Sequence, residues 1–174
     1  MLTFLRYFFI SLLSLHLIAC TPALNWREVN HPAGQFSAWF PNKTKTLSKD
    51  VVLDNTVFKM TMLGTQADNM TFAVSYIPIT NTPHAHALLN TFKTGFLTRV
   101  HGQILRQNAF RHTNTPNVHI DEIYLIDTSQ PTRRLIATRF LFHKQHLYQI
   151  TIMGPENVLT SEVSDTFFTS LKLF

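Results

Sequence analysis

Val57-Phe58-Lys59-Met60-Thr61-Met62-Leu63 and Met70-Thr71-Phe72-Ala73-Val74-Ser75-Tyr76-Ile77 both repeat with a period of two. In the first, Phe58, Met60 and Met62 alternate with Lys59 and Thr61; in the second, Phe72, Val74 and Tyr76 alternate with Thr71, Ala73 and Ser75. A period of two puts each apolar set on one face of a strand. The polar connection 64–69 joins the two runs as a hairpin, so the sheet is antiparallel where it starts.

Working outward, Gly34-Gln35-Phe36-Ser37-Ala38-Trp39-Phe40-Pro41 reads as a strand ended by Pro41. Phe36, Ala38 and Phe40 share one side, and Ser37 and Trp39 share the other. Trp39 is then either covered by a helix or exposed as an interaction surface. Beyond Asn81-Thr82-Pro83 the period lengthens, and Leu88, Leu89, Phe92, Phe96 and Val100 mark the stripe of a helix over residues 83–101. Gly102 is placed to end that helix, and Gly95 inside it costs about 1 kcal/mol relative to alanine. Strands are expected at 103–111, 118–126, 134–142 and 146–153, the last two joined by a turn at His143-Lys144-Gln145-His146. Leu159, Val163, Phe167 and Leu171 predict a closing helix over 157–171. Hairpin-linked strands with two covering helices describe an α+β domain, a mainly antiparallel sheet covered by two helices.

The chain has 174 residues, 45% of them hydrophobic and 14% charged, with fifteen phenylalanines and one cysteine. That composition folds into a single core. The net charge of +5 is thinly spread, its densest run being Arg133-Arg134. Nucleic acid is not an expected partner, because phosphate binding needs a clustered basic face.

The N-terminal stretch has one early cation, Arg6, an apolar run from Tyr7 to Leu17, and then Ile18-Ala19-Cys20. These are the parts of a secretory signal peptide. A transmembrane anchor needs roughly 20 apolar residues, more than this run supplies. Leu17-Ile18-Ala19-Cys20 contains the only cysteine and resembles a lipobox. A thiolate is suited to taking a diacylglyceryl group as a thioether, and small Ala19 permits cleavage before Cys20. Residues 1–19 are thus expected to be a lipoprotein signal peptide, 20–24 a lipidated tether and 25–174 the folded domain. Cys20 would carry a diacylglycerol and an N-acyl chain, and two or more chains give durable anchoring. No other cofactor is expected, and with Cys20 alkylated the domain has no internal disulfide. The expected location is the cell envelope, extracytoplasmic and lipid-anchored. By likeness to sorted lipoproteins, Thr21 in place of aspartate favours the outer membrane where the host has one.

Nine histidines raise a binding question. His84 and His86 lie two apart, a spacing that converges only if the helix begins after both. His143 and His146 bracket the predicted turn. These four are the candidate ligand or metal residues, although neither pair has zinc-motif spacing and no metal is assigned. No catalytic residue is assigned: there is no Gly-x-Ser-x-Gly, no His-Glu-x-x-His and no phosphate-cradling loop. Asp121 and Glu122, adjacent on a strand, point to opposite faces and make a poor acid–base pair. Asp127, at that strand's end, reads as a turn cap.

The order of these segments resembles the small lipoproteins and export domains with the PsbP-like α/β/α sandwich. The likeness rests on Trp26 followed by Gly34-Gln35-Phe36-Ser37-Ala38-Trp39-Phe40-Pro41, on Val74-Ser75-Tyr76, on His146-Leu147-Tyr148-Gln149-Ile150-Thr151-Ile152, and on Phe167-Phe168-Thr169-Ser170-Leu171-Lys172-Leu173. Residues 103–115 depart from the glycine-richer stretch found in such domains. The resemblance implies a three-layer fold and a non-enzymatic protein-interaction or assembly module with an unknown envelope protein as partner. The alternative is a small-ligand or metal-binding lipoprotein.

Overall fold

The computed structural model describes residues 24–80, 82–112, 115–129 and 132–174. The hairpin that opens the sequence argument extends in both directions. β4 (Thr56–Ala67) pairs with β5 (Met70–Pro78) from Thr61↔Tyr76 to Ala67↔Met70. The connection is therefore not six residues but two, Asp68-Asn69, both at positive φ (49° and 58°). Positive φ at both central residues matches the twist of a tight hairpin, and Asp and Asn tolerate it best after glycine.

The same turn chemistry produces a strand that the hydrophobic pattern does not announce. β3 (Lys45–Leu53) pairs with β4 through Asp54-Asn55, again both at positive φ (48° and 60°). It is an edge strand, exposed along most of its length, so no buried face imposes alternation on it.

β6 (Gly102–His112), β7 (Thr115–Asp127), β8 (Arg134–His143) and β9 (His146–Pro155) form a meander whose last strand pairs with β5. The result is a seven-stranded antiparallel sheet of order β3-β4-β5-β9-β8-β7-β6. A separate three-stranded antiparallel sheet is built from β1 (Arg27–His31), β2 (Phe36–Phe40) and the two-residue β10 (Lys172–Leu173), with β2 in the middle.

Among the described residues, two α-helices complete the α+β fold. α1 (Ala85–Arg99) lays Leu88, Leu89 and Phe92 on one face of the large sheet, against Ile77, Ile123, Ile136, Phe140 and Leu147. α2 (Ser161–Thr169) and the small sheet cover the other face, where Phe36, Phe40, Phe72, Tyr148, Ile150 and Phe167 interlock. Phe167 meets both Phe40 and Phe72 edge-on at 5.4 Å between ring centroids, the arrangement that aromatic quadrupoles prefer.

α2 is shorter than its apolar stripe predicted. Thr160 caps it by accepting the Val163 amide, while Leu159 and Leu171 flank the helix and remain buried. α1 likewise ends at Arg99 and is followed by an extended Val100. Gly102 is therefore not a helix stop: it opens β6, where an added Cβ would meet Leu125 Cδ1 at 2.6 Å and the Ile126 carbonyl oxygen at 2.8 Å. Among the described residues no helix is long and apolar enough to cross a membrane.

Candidate functional site

The best-formed cleft lies beside the first half of α1, at the end of the large sheet where β7 begins and β8 finishes. Its cavity of about 450 Å³ is bordered by His86 and Asn90 of α1, Asn117, His119 and Asp121 of β7, and the turn residues His143 and Lys144. The helix supplies its polar residues there because Ala85, Leu88 and Leu89 are occupied with the sheet. His86 also packs edge-on against Phe142, with ring centroids 6.1 Å apart. At the far wall Lys93 Nζ donates to Asp121 Oδ2, so that carboxylate is already neutralised.

What remains in the cleft is imidazoles, amides and one exposed ammonium, an environment suited to a small polar or anionic molecule rather than an apolar one. Burial is the main cause lowering the pKa of His143, helped by the charge of Lys144 and by the neighbouring imidazoles of His112 and His146. His143 is accordingly neutral at pH 7 and offers one donor and one acceptor. Among the described residues no group of three or more His, Cys, Asp or Glu is placed to hold a metal ion.

The four histidines singled out by sequence are redistributed by the fold. His84 is the exposed residue just before α1, and His86 is the helix's second residue. The helix thus begins between them, not after both. His143 and His146 pair directly across the β8–β9 hairpin, but only His143 lines the cleft. His146 belongs to the opposite layer, its ring 5.7 Å from that of Tyr76 and 5.8 Å from that of Tyr148. The cleft therefore joins one member of each sequence pair and adds His119. The signal for His119 was its place two residues before Asp121 and four before Ile123, the α1-facing positions of β7. Cys20 and the leader 1–19 lie outside the described residues.

Beneath the small sheet, His31 Nε2 and Tyr76 Oη are 3.2 Å apart, and the buried Tyr148 hydroxyl donates to the Gly34 carbonyl at 2.8 Å. Burial lowers the pKa of His31 and His146 and raises that of Tyr148, to which Tyr76 adds. His146 Nδ1 has no hydrogen-bond partner among the described residues. This end of the fold holds its imidazoles uncharged and ties the two sheets together.

A third feature is the free edge of the large sheet. Every residue of β6 except His112 is exposed, including Ile104, Leu105 and Phe110. A bulge between Ile104 and Arg106 displaces Leu105 from the ladder with β7. The strand is braced from within: Arg139 donates to Glu122 through Nε and Nη2, both at 2.7 Å, and its guanidinium lies over the rings of Phe110 and Phe168 at 4.9 and 4.3 Å. Arg106 lies over Tyr124 at 4.2 Å and approaches Glu122 at 3.5 Å.

Against known proteins, the chain matches no protein-family model, and no curated protein matches it significantly.

Proposed function

We propose that this chain is a lipid-anchored envelope lipoprotein, modified at Cys20, whose domain is a non-enzymatic interaction module. In that reading the domain receives an extended segment of an envelope protein along the β6 edge. The single observation that carries it is that edge: an eleven-residue strand with no strand paired on its outer side among the described residues, displaying Ile104, Leu105 and Phe110 to solvent. Main-chain groups of an open edge add an incoming strand, and alternating side chains select it. β6 carries Arg106 and Arg111 and no acidic residue, which favours a segment with acidic positions. The three-layer arrangement supports the likeness to PsbP-like domains, and the leader supports an extracytoplasmic location, at the outer membrane where the host has one.

A photo-crosslinking residue at Phe110 in intact cells should trap one reproducible protein, and the same residue at the exposed Thr94 on α1 should not. Equal labelling from both positions, or none from Phe110, overturns the assignment. The cleft carries a second reading, a small polar ligand held by His86, His119 and His143. Titration with zinc or with inorganic phosphate, followed through the imidazole proton resonances, tests it: no shift of those three signals in either series removes it.

A further inference from the structure

We infer that the cleft beside α1 is an oxyanion site that holds a phosphate group between the Lys144 ammonium and the imidazoles and amides of its walls, an inference that rests on the second reading above of that cleft as a ligand site. The walls supply donors from three elements: His86 and Asn90 from α1, Asn117 and His119 from β7, and His143 and Lys144 from the end of β8 and its turn. A tetrahedral oxyanion offers acceptor oxygens in several directions, whereas a carboxylate takes its bonds near one plane. The only carboxylate among the described lining residues is Asp121, and Lys93 engages it. No acid is therefore left to attract a cation. Lys144, exposed and in no ion pair among the described residues, sets the charge of the cleft.

The backbone at Lys144 favours the same ligand. The hairpins at both ends of β4 turn on Asp54-Asn55 and Asp68-Asn69, all four residues at positive φ. Between β8 and β9 the two-residue turn is Lys144-Gln145, and Lys144 takes φ 51°. That left-handed conformation suits glycine, asparagine or aspartate and strains a lysine. The chain thus accepts poorer turn chemistry at a turn that lines the cleft, and what it gains there is a cation. The cavity of about 450 Å³ admits either the free ion or a small molecule that carries the group.

The test titrates the full chain, purified in detergent, with inorganic phosphate, glycerol 3-phosphate, glycerol and zinc chloride in separate series at constant ionic strength. Calorimetry gives the affinity, and the imidazole proton resonances of His86, His119 and His143 give the location. Both phosphates should shift those three signals, and glycerol should not. A tighter ester assigns a phosphorylated molecule and equal affinities assign the free ion, each in support of the site. Lys144→Asn removes the cation and suits the turn, so phosphate affinity should fall about tenfold, the loss of one charge-assisted bond, while Tm holds or rises. Lys49→Asn, on the exposed β3 edge, should leave the affinity unchanged. Unaltered phosphate affinity in Lys144→Asn overturns the oxyanion site. A shift with zinc or glycerol and none with either phosphate also overturns it and leaves the cleft a ligand site, whereas silence in all four series overturns both.

Discussion

Replacing Glu122 by glutamine should be among the most damaging single-atom changes available in this domain. The Glu122 side chain is only 7% exposed and takes two charge-assisted hydrogen bonds from Arg139, itself 15% exposed. Losing one partner of a buried pair leaves a desolvated charge, a change that costs about 3–5 kcal/mol. Glutamine keeps one acceptor, and Arg139 keeps its contacts with Phe110 and Phe168, so about 3 kcal/mol is expected. For a domain of this size that corresponds to a fall of roughly 6–12 °C in Tm. Arg106 is 55% exposed, and Arg106→Gln should cost about 1 kcal/mol or less. Urea denaturation followed by circular dichroism measures each change at constant m. Because Arg139→Met leaves the converse orphan, the double variant Glu122→Gln/Arg139→Met should fall short of the summed single effects by about 2 kcal/mol. A cost under about 1 kcal/mol for Glu122→Gln, or additive single effects, would refute the view that this pair clamps β6 and α2 to the sheet.

Gly95→Ala should stabilise the protein by about 0.5–1 kcal/mol, since Gly95 lies inside α1 and an added Cβ meets nothing closer than Arg99 Nη1 at 3.7 Å; a lower urea midpoint would contradict that. Stability should also fall as the pH drops below about 6.5. His31, His112, His143 and His146 all have pKa values lowered mainly by burial, so the unfolded chain takes up protons first and stability is lost as the pH falls toward the folded values. Arg139 and Lys144 add to the lowering at His112 and His143, respectively. Glu28, lowered by its hydrogen bonds from Lys172 and Ser37, and Asp127, lowered by those from Ser129, lose their contributions only at more acid pH, below about 4. Thermal melts from pH 7.5 to 5 should therefore decline steadily; a flat profile would count against the buried imidazoles.

The elements legible in the sequence are those with one face buried and one open. Phe36, Ala38 and Phe40 are buried as their alternation requires, and Trp39 resolves to the exposed alternative. β8 and β9 fall within two residues of the expected bounds because their apolar faces are continuous under both layers. β3 escaped for the opposite reason: with Leu47 and Val52 in solvent, its pairing depends on backbone bonds and an Asp-Asn turn rather than on burial. Asp127 does cap its turn, accepting from the Ser129 amide and hydroxyl, an interaction local enough to be read from neighbours.

The cleft was legible only as a list of residue types. Spacing along the chain paired His84 with His86 and His143 with His146, but a strand crossing and a helix start decide which imidazoles share a space. The β8–β9 turn sends His146 under the small sheet beside Tyr76, while α1 brings His86 over Phe142 and within reach of the His143 corner. Asp121 and Glu122 show the same logic with a better outcome, because strand alternation alone separates them: one meets Lys93 from α1, the other meets Arg139 under α2. Period-two reasoning places side chains correctly within an element. Which elements face each other is set by the packing of α1 and α2 on opposite sides of one sheet, a long-range fact that histidine spacing does not encode.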